Sequence, residues 1–412
     1  MNHAPTTDFD PTRPEVLGDP YPHLDALRES TPVAYAPAMD RWLITRHEDV
    51  FACQRNPGLG RSYRQRFTDE EFGRPPQDPR WRNFWQAEKW SLLELEPPAH
   101  TRIRSLVSSA FTPKTVLGLR EPAAKRSEEL LVDLRERPQF DLLTDYAQPY
   151  SVSIICELLG AERAHEAMFL HWAHAMVKMY EVNTTPEEAV EADRSAGDFI
   201  RAAQDLIDHK RRNPADDLVS RLVQADVEGE RLTDEELVST IIVLLNAGHE
   251  ATVNTTGNGM TTMIEHPDQW RLVTSGEVPA RQAVEELIRF DPPLQLFERW
   301  VLDEGIEVGG VELPWGSRIA MLYGAANGDP RVFERPRELD ITREGASRHV
   351  NFGGGVHACL GSPLARVELE ASFANLARLV PDLQLAEAPE RTGAFVIWGY
   401  RAVPVTSPGH AG

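Results

Sequence analysis

Apolar residues in this chain recur mostly every three or four positions, the spacing of one buried helix face. That periodicity predicts helices over 48–55, 99–110, 114–135, 151–159, 161–180, 186–213, 218–225, 233–265, 279–290 and 360–379. Short β-branched or alternating runs predict strands at 33–35, 42–45, 306–308, 311–313 and 318–323. A last strand pair is predicted at 395–398 and 402–405. Gly309-Gly310 supplies a tight turn between two of the strands. Asn213-Pro214 and His266-Pro267 stop the helices that precede them. The stretch holding Trp81, Phe84, Trp85 and Trp90 shows no helical period and reads as helix-poor. The sum is a mainly α protein with a small β part. Strands and helices do not alternate as a doubly wound sheet requires.

The 233–265 helix breaks its own pattern. Thr233-Asp234-Glu235-Glu236 is a capping box that opens it. It runs for roughly 48 Å at 1.5 Å per residue, enough to cross a domain. Residues 237–245 are apolar; then comes Asn246-Ala247-Gly248-His249-Glu250-Ala251-Thr252-Val253-Asn254. A glycine inside a helix costs about 1 kcal/mol relative to alanine. A buried carboxylate beside it costs more unless it is paired. Local rules broken together mark function. His249-Glu250 begins like a zinc-protease motif, but Val253 stands where the second histidine belongs.

Composition narrows the classes. The chain has 412 residues, 41% hydrophobic and 26% charged, as in globular proteins. Length alone suggests two or three domains. A net charge of −21 argues against a nucleic-acid partner. Three scattered cysteines, Cys53, Cys156 and Cys359, make no disulfide framework and fit a reducing cytoplasm. The polar, proline-rich opening MNHAPTTDFDPTRPEVLGDP contains no apolar run, so no signal peptide or membrane anchor is expected.

One of the three cysteines stands apart. Phe352-Gly353-Gly354-Gly355-Val356-His357-Ala358-Cys359-Leu360-Gly361 places Cys359 behind a glycine-rich loop and before a helix. A helix N-terminus and close backbone amides favour a thiolate, and a thiolate holds metal. The pattern Phe-x-x-Gly-x-x-x-Cys-x-Gly resembles the signature of the cytochrome P-450 family of haem-thiolate monooxygenases. The resemblance covers roughly residues 9–405 and overrides the length prior. It implies one domain over 1–412 with the family's fold, a long central helix lying over haem. Within it, 1–20 would be an N-terminal arm, 233–265 the oxygen-binding helix and 349–361 the cysteine-ligand loop.

The resemblance also implies roles. Cys359 matches the axial ligand of haem b. His100 and Arg104, four apart after Pro97-Pro98, match propionate contacts, as do Arg299 and His357; His349 is a further candidate. Glu286 and Arg289 match a structural Glu-x-x-Arg pair. Ala247, Gly248, His249 and Glu250 match the oxygen-binding motif, but Ala251 replaces the usual threonine. Thr252 comes one residue late, about 100° around the helix, so its hydroxyl does not simply substitute. Glu250, with water, is expected to supply protons instead.

Substrate contacts are expected from Trp85, Trp90, Leu244, Ala247, Leu294, Phe297, Phe395 and Ile397. Phe169, Trp172 and Met176 join them, although such a stripe at helical spacing is also an ordinary core signature. No Gly-x-Gly-x-x-Gly follows a strand, so electrons from NAD(P)H must arrive through external proteins. The resemblance implies ferredoxin and ferredoxin reductase, steered by a basic patch including Arg102, Lys114, Arg343 and Arg348. The implied activity inserts one atom of O2 into a small apolar organic molecule, as a tailoring hydroxylase of secondary metabolism in the cytoplasm. Peroxide-driven oxidation, oxidative coupling and non-enzymatic haem binding remain alternatives.

Overall fold

In the computed structural model, residues 5–407 are described. The interior is built from helices α1 (Arg82–Glu88), α2 (Ala99–Ala110), α3 (Arg120–Leu134), α4 (Gln148–Leu159), α5 (Glu166–Val177), α6 (Pro186–Arg212), α7 (Asp234–Glu265), α8 (Ala280–Phe290) and α9 (Ser362–Leu379). Beside them lies a sheet of β1 (Val33–Ala36), β2 (Arg41–Ile44), β3 (Leu59–Gly60), β4 (Leu296–Val301) and β5 (Arg318–Leu322), ordered β1-β2-β5-β4-β3. Only the β2–β5 pair is parallel. The mainly α architecture with a small β part is as the periodicity predicts. Among the described residues no helix is long and apolar enough to cross a membrane.

Helix α7 is the axis of the fold. The Thr233 hydroxyl accepts the Glu236 N–H at 3.3 Å, and the Glu236 carboxylate accepts the Thr233 N–H at 2.9 Å. This satisfies two orphan donors at once. The helix then runs through the core and packs on α4, α5, α6, α8 and α9. Its polar second half is buried because side chains bond back to carbonyls four residues earlier. Thr255 donates to Ala251 O at 2.7 Å, Thr256 to Thr252 O at 2.9 Å and Asn254 to Glu250 O at 2.9 Å. These bonds offset the desolvation of those three side chains, while the buried Thr261 hydroxyl further along has no partner. Gly248 is demanded by packing: a Cβ there would lie 2.8 Å from Ile155 of α4.

Several boundaries differ from the sequence reading. Pro113 and Gly118 divide 114–135 into Pro113–Gly118 and α3. Residues 161–180 divide into α5 and flanking 3-10 turns, Arg163–His165 and Lys178–Tyr180. The segment read as helix-poor contains α1. The expected C-terminal strand pair does not form. Instead Ile397 bridges to Leu294, and Pro404–Thr406 pairs with Gln139–Asp141 and Gln384–Leu385. Buried Val403 and Val405 lead that strand into the core beside α7 rather than back onto 395–398. The Gly309-Gly310 turn is as expected: both glycines have positive φ, 56° and 79°, between antiparallel Glu307–Val308 and Val311–Glu312.

Helix α8 ties the core to the cysteine loop. Glu286 and Arg289 are both 0% exposed and bond in two places at 2.7 Å. Arg289 also donates to Asn327 O at 2.9 Å and Pro336 O at 2.8 Å. Asn327 in turn accepts the Val350 N–H at 3.0 Å, at the start of the loop. One residue earlier, Glu285 faces Arg366 of α9 and lies 3.3 Å from His349. Burial alone would raise the Glu285 pKa, but these partners outweigh it and hold it at about 2. Burial in turn pushes the His349 pKa down, opposed by Glu285 itself. A depressed carboxyl pKa adds stability above its ordinary value of 4.5 and loses it as pH falls toward the folded value. Glu285→Gln is therefore expected to flatten the acid limb of stability between about pH 4.5 and 2. Urea unfolding across that range, compared with the parent chain, measures it.

Candidate active site

The loop before α9 presents Cys359 to an internal cavity of about 1120 Å³. The Cys359 N–H donates to Phe352 O at 2.8 Å and closes the loop. Gly353 and Gly355 both take φ of 64°, where a side chain would strain the backbone. At Gly355 a Cβ would also stand 2.7 Å from Gln54 O. The sulfur is exposed, yet only toward the cavity; protein encloses it elsewhere. Burial pushes its pKa up, opposed by the amides of Gly361 and Ser362 and by the charges of Arg104 and Arg366. Cys53 and Cys156 are buried thiols that burial pushes up to about 12. They behave as small apolar core residues.

Opposite the sulfur, α7 lines the cavity with Leu244, Ala247, Gly248, Glu250, Ala251 and Thr252. The Thr252 hydroxyl donates to Gly248 O at 3.2 Å. It is already engaged, in keeping with its offset from the position that Ala251 fills. Glu250 sits 3.2 Å from His174 of α5, and burial raises its pKa.

Four basic side chains gather at one edge of the cavity, with Arg104, Arg299 and His357 on its wall and His100 behind them. Arg104 donates to Ala358 O at 2.7 Å, directly before the cysteine. His357 lies 3.1 Å from Glu96, and the His100 ring sits 4.5 Å from that of His357. Both nitrogens of His100 are buried without a partner, and burial pushes its pKa down to about 4. Arg299 donates to Leu59 O at 2.9 Å and Gln54 O at 3.3 Å, while its Nε is buried without a partner.

A profile of the family described as Cytochrome P450 matches residues 65–273 and 280–379, most of the chain. The chain belongs to the cytochrome P450 family. Its relatives include the 6-deoxyerythronolide B hydroxylase of Saccharopolyspora erythraea, 33% identical over 91% of this chain and 93% of that one. The Steroid C26-monooxygenase of Rhodococcus jostii is 32% identical, over 93% of this chain and 81% of the relative. Among solved structures, the polyketide synthase cytochrome P450 PksS of Bacillus subtilis superposes with a TM-score of 0.87. That match is 31% identical and covers 97% of this chain and 99% of that one.

As a P450, the chain is an oxygen-incorporating oxidoreductase that carries haem b and takes electrons from external redox partners. The residues present fit haem. A cavity-facing thiol, unpartnered His100 nitrogens and the guanidinium groups of Arg104 and Arg299 supply one soft ligand and donors for two carboxylates. His349 does not belong to this edge: it is buried against Glu285, between α8 and α9.

The expected substrate contacts divide. Trp85, Leu244, Ala247, Leu294, Phe297 and Ile397 line the cavity of this P450. Phe169, Trp172 and Met176 do not; they turn into the core, where Phe169 stacks on Phe199 of α6 at 5.5 Å. Trp90 does not line the cavity; it donates to Glu235, which does, at 3.0 Å. Phe395 packs on Phe9 in a separate cluster beside the sheet. The expected basic patch is also reduced. Arg343 is buried on Glu286 at 3.0 Å, and Arg102 pairs with Glu236. Lys114 remains exposed, and Arg348 donates to Val332 O.

Three residues of the site escape the sequence reading. Arg61 crosses Phe297 at 4.2 Å and donates to Glu298 O at 2.7 Å, at the cavity wall. Glu96 receives the His357 contact. Glu368 of α9 lines the cavity with a buried carboxyl held well above the usual range by burial, near Thr252. A signal existed for the last: Glu368 shares its helix face with Leu364, Ala365 and Ala371, three and four residues away.

Proposed function

We propose that this P450 is a monooxygenase that tailors a small apolar secondary metabolite, with Cys359 as the residue that would hold its haem iron. One observation carries the reading: a large cavity with that thiol at one wall and Ala247, Ala251 and Leu294 at the others. The relatives that act on 6-deoxyerythronolide B and in polyketide biosynthesis support a polyketide-like substrate. Haem bound to a thiolate supplies oxygen activation.

The chain's own residues do the rest. His100, Arg104, Arg299 and His357 would hold the two haem propionates. Leu244, Leu294, Phe297 and Ile397 exclude water and hold the substrate by apolar contact. Glu250, beside Ala251, is the residue that would pass a proton into the cavity, since burial pushes its pKa up from the ordinary carboxyl value. The chain works in the cytoplasm, and a ferredoxin with its reductase delivers the electrons.

Turnover with surrogate ferredoxin, reductase, NADPH and isotopically heavy dioxygen tests this on a panel of macrolides and related polyketides. The expected product carries one heavy oxygen atom. Glu250→Ala should lower product per oxygen consumed by on the order of 100-fold, the scale of a lost general acid. Turnover that ignores ferredoxin and runs on peroxide alone would favour the alternative oxidation. Full coupling in Glu250→Ala would remove Glu250 from the reaction.

A further inference from the structure

Beside the cavity wall that α7 forms, three ligand-bearing side chains converge, of which Glu250 lines the cavity. His174 comes from α5, and His249 and Glu250 from α7. One ligand atom from each lies within 4.8 Å of the other two. His249 is 1% exposed, and neither of its ring nitrogens has a hydrogen-bond partner. An imidazole so deeply buried ordinarily satisfies at least one nitrogen. The His174 Nε2 and Glu250 Oε1 are 3.2 Å apart, yet Glu250 Oε1 makes no hydrogen bond. Their lone pairs are thus not spent on each other. That separation is the edge expected between two ligands about 2.0–2.2 Å from a shared ion.

We propose that His174, His249 and Glu250 form a binding site for a divalent first-row transition ion of the Zn²⁺ class. Two imidazoles and one carboxylate suit such ions better than Mg²⁺ or Ca²⁺, which favour all-oxygen sites. Burial keeps His249 neutral, the form that ligates. The half-exposed His174, with 36% of its side chain accessible, supplies the entry path and the freedom to close the last ångström. Asn254 lies 3.5 Å from the second carboxylate oxygen and orients it. Lys178 also acts on Glu250, and its charge opposes the incoming ion. A bound ion would pin α5 to α7 and take the Glu250 lone pair. The site itself does not depend on the proposed substrate or on the proton role of Glu250.

The test uses haem-loaded protein stripped with a chelator, then titrated with Zn²⁺ by calorimetry. Cu²⁺ loading followed by electron paramagnetic resonance reports the donor atoms. The parent chain should take up one tight equivalent, with two nitrogen donors on Cu²⁺. His174→Ala and His249→Ala should each weaken Zn²⁺ binding by roughly 100-fold or more, beyond the loss typical of an outer-shell change. His23→Ala, on the exposed surface, should change nothing. The haem spectrum reports whether each variant is folded, and His174→Ala carries the test if His249→Ala is not. Tight binding that survives His174→Ala in folded protein overturns the site, as does the absence of a tight equivalent in the parent chain.

Discussion

Arg289→Ala is expected to yield little haem-loaded protein, and whatever folds should unfold at clearly lower urea. The Arg289 guanidinium is fully buried and makes two bonds to Glu286 and two to backbone carbonyls. Removing it leaves a buried carboxylate whose nearest remaining cation is Arg343, at 3.0 Å from the same oxygen. Breaking a buried pair from one side costs about 3–5 kcal/mol. A typical domain has only about 5–15 kcal/mol to lose. The damage should spread along the chain, because the same guanidinium fixes Asn327, which fixes Val350 at the mouth of the cysteine loop. Arg289→Lys should fare little better, since an ammonium cannot reproduce the fork. Urea midpoints and haem per chain measure both effects. Normal midpoints with full haem would show that the pair is dispensable.

Cys359→Ser is the second large effect, and it should be of the opposite kind. The fold should survive. The loop is closed by the Cys359 backbone N–H, not its sulfur, and the sulfur faces open space. Turnover should fall by about 100-fold or more, the scale on which loss of one transition-state interaction lowers rate. A serine hydroxyl is a poorer electron donor than a thiolate and gives no comparable push toward O–O cleavage. Urea midpoints near those of the parent chain, beside absent product, separate this variant from Arg289→Ala.

Much of this arrangement was legible in the sequence, for physical reasons. Local signals are short-range, and they are the ones that read well. The capping box placed the start of α7 within one residue, and the 99–110 periodicity matched α2 residue for residue. The glycine-rich loop and Glu286 with Arg289 are likewise contained within a few turns of chain. What depends on distant partners was not legible. Residues 404–406 pair with 139–141, across more than half the chain, and no local pattern announces that choice. Phe169, Trp172 and Met176 carry the same periodicity whether they face a core or a cavity; only the position of α6 decides it. His349 looked like its neighbour His357 because both are histidines near the cysteine, but Glu285 captures one and Glu96 the other. Helix α1 was hidden because prolines at 75, 76 and 79 crowd its start and its apolar residues serve two neighbours.

Glu250 and Ala251 form the least conventional part of the site. Gly248, taken alone, is explained by contact with Ile155, so the broken pattern of α7 is partly packing. The carboxyl beside it has no such explanation. It stands at the meeting of the cavity, His174 and His249, where a proton or a metal ion would be held.

The claim on which the account rests is that the Cys359 sulfur ligates the haem iron. Reducing the purified, haem-loaded protein and adding carbon monoxide tests it most directly. A strongly red-shifted absorption band in the parent chain, lost in folded Cys359→Ser, is the predicted result. A parent spectrum without the shift, or a shift that persists in Cys359→Ser, would contradict it.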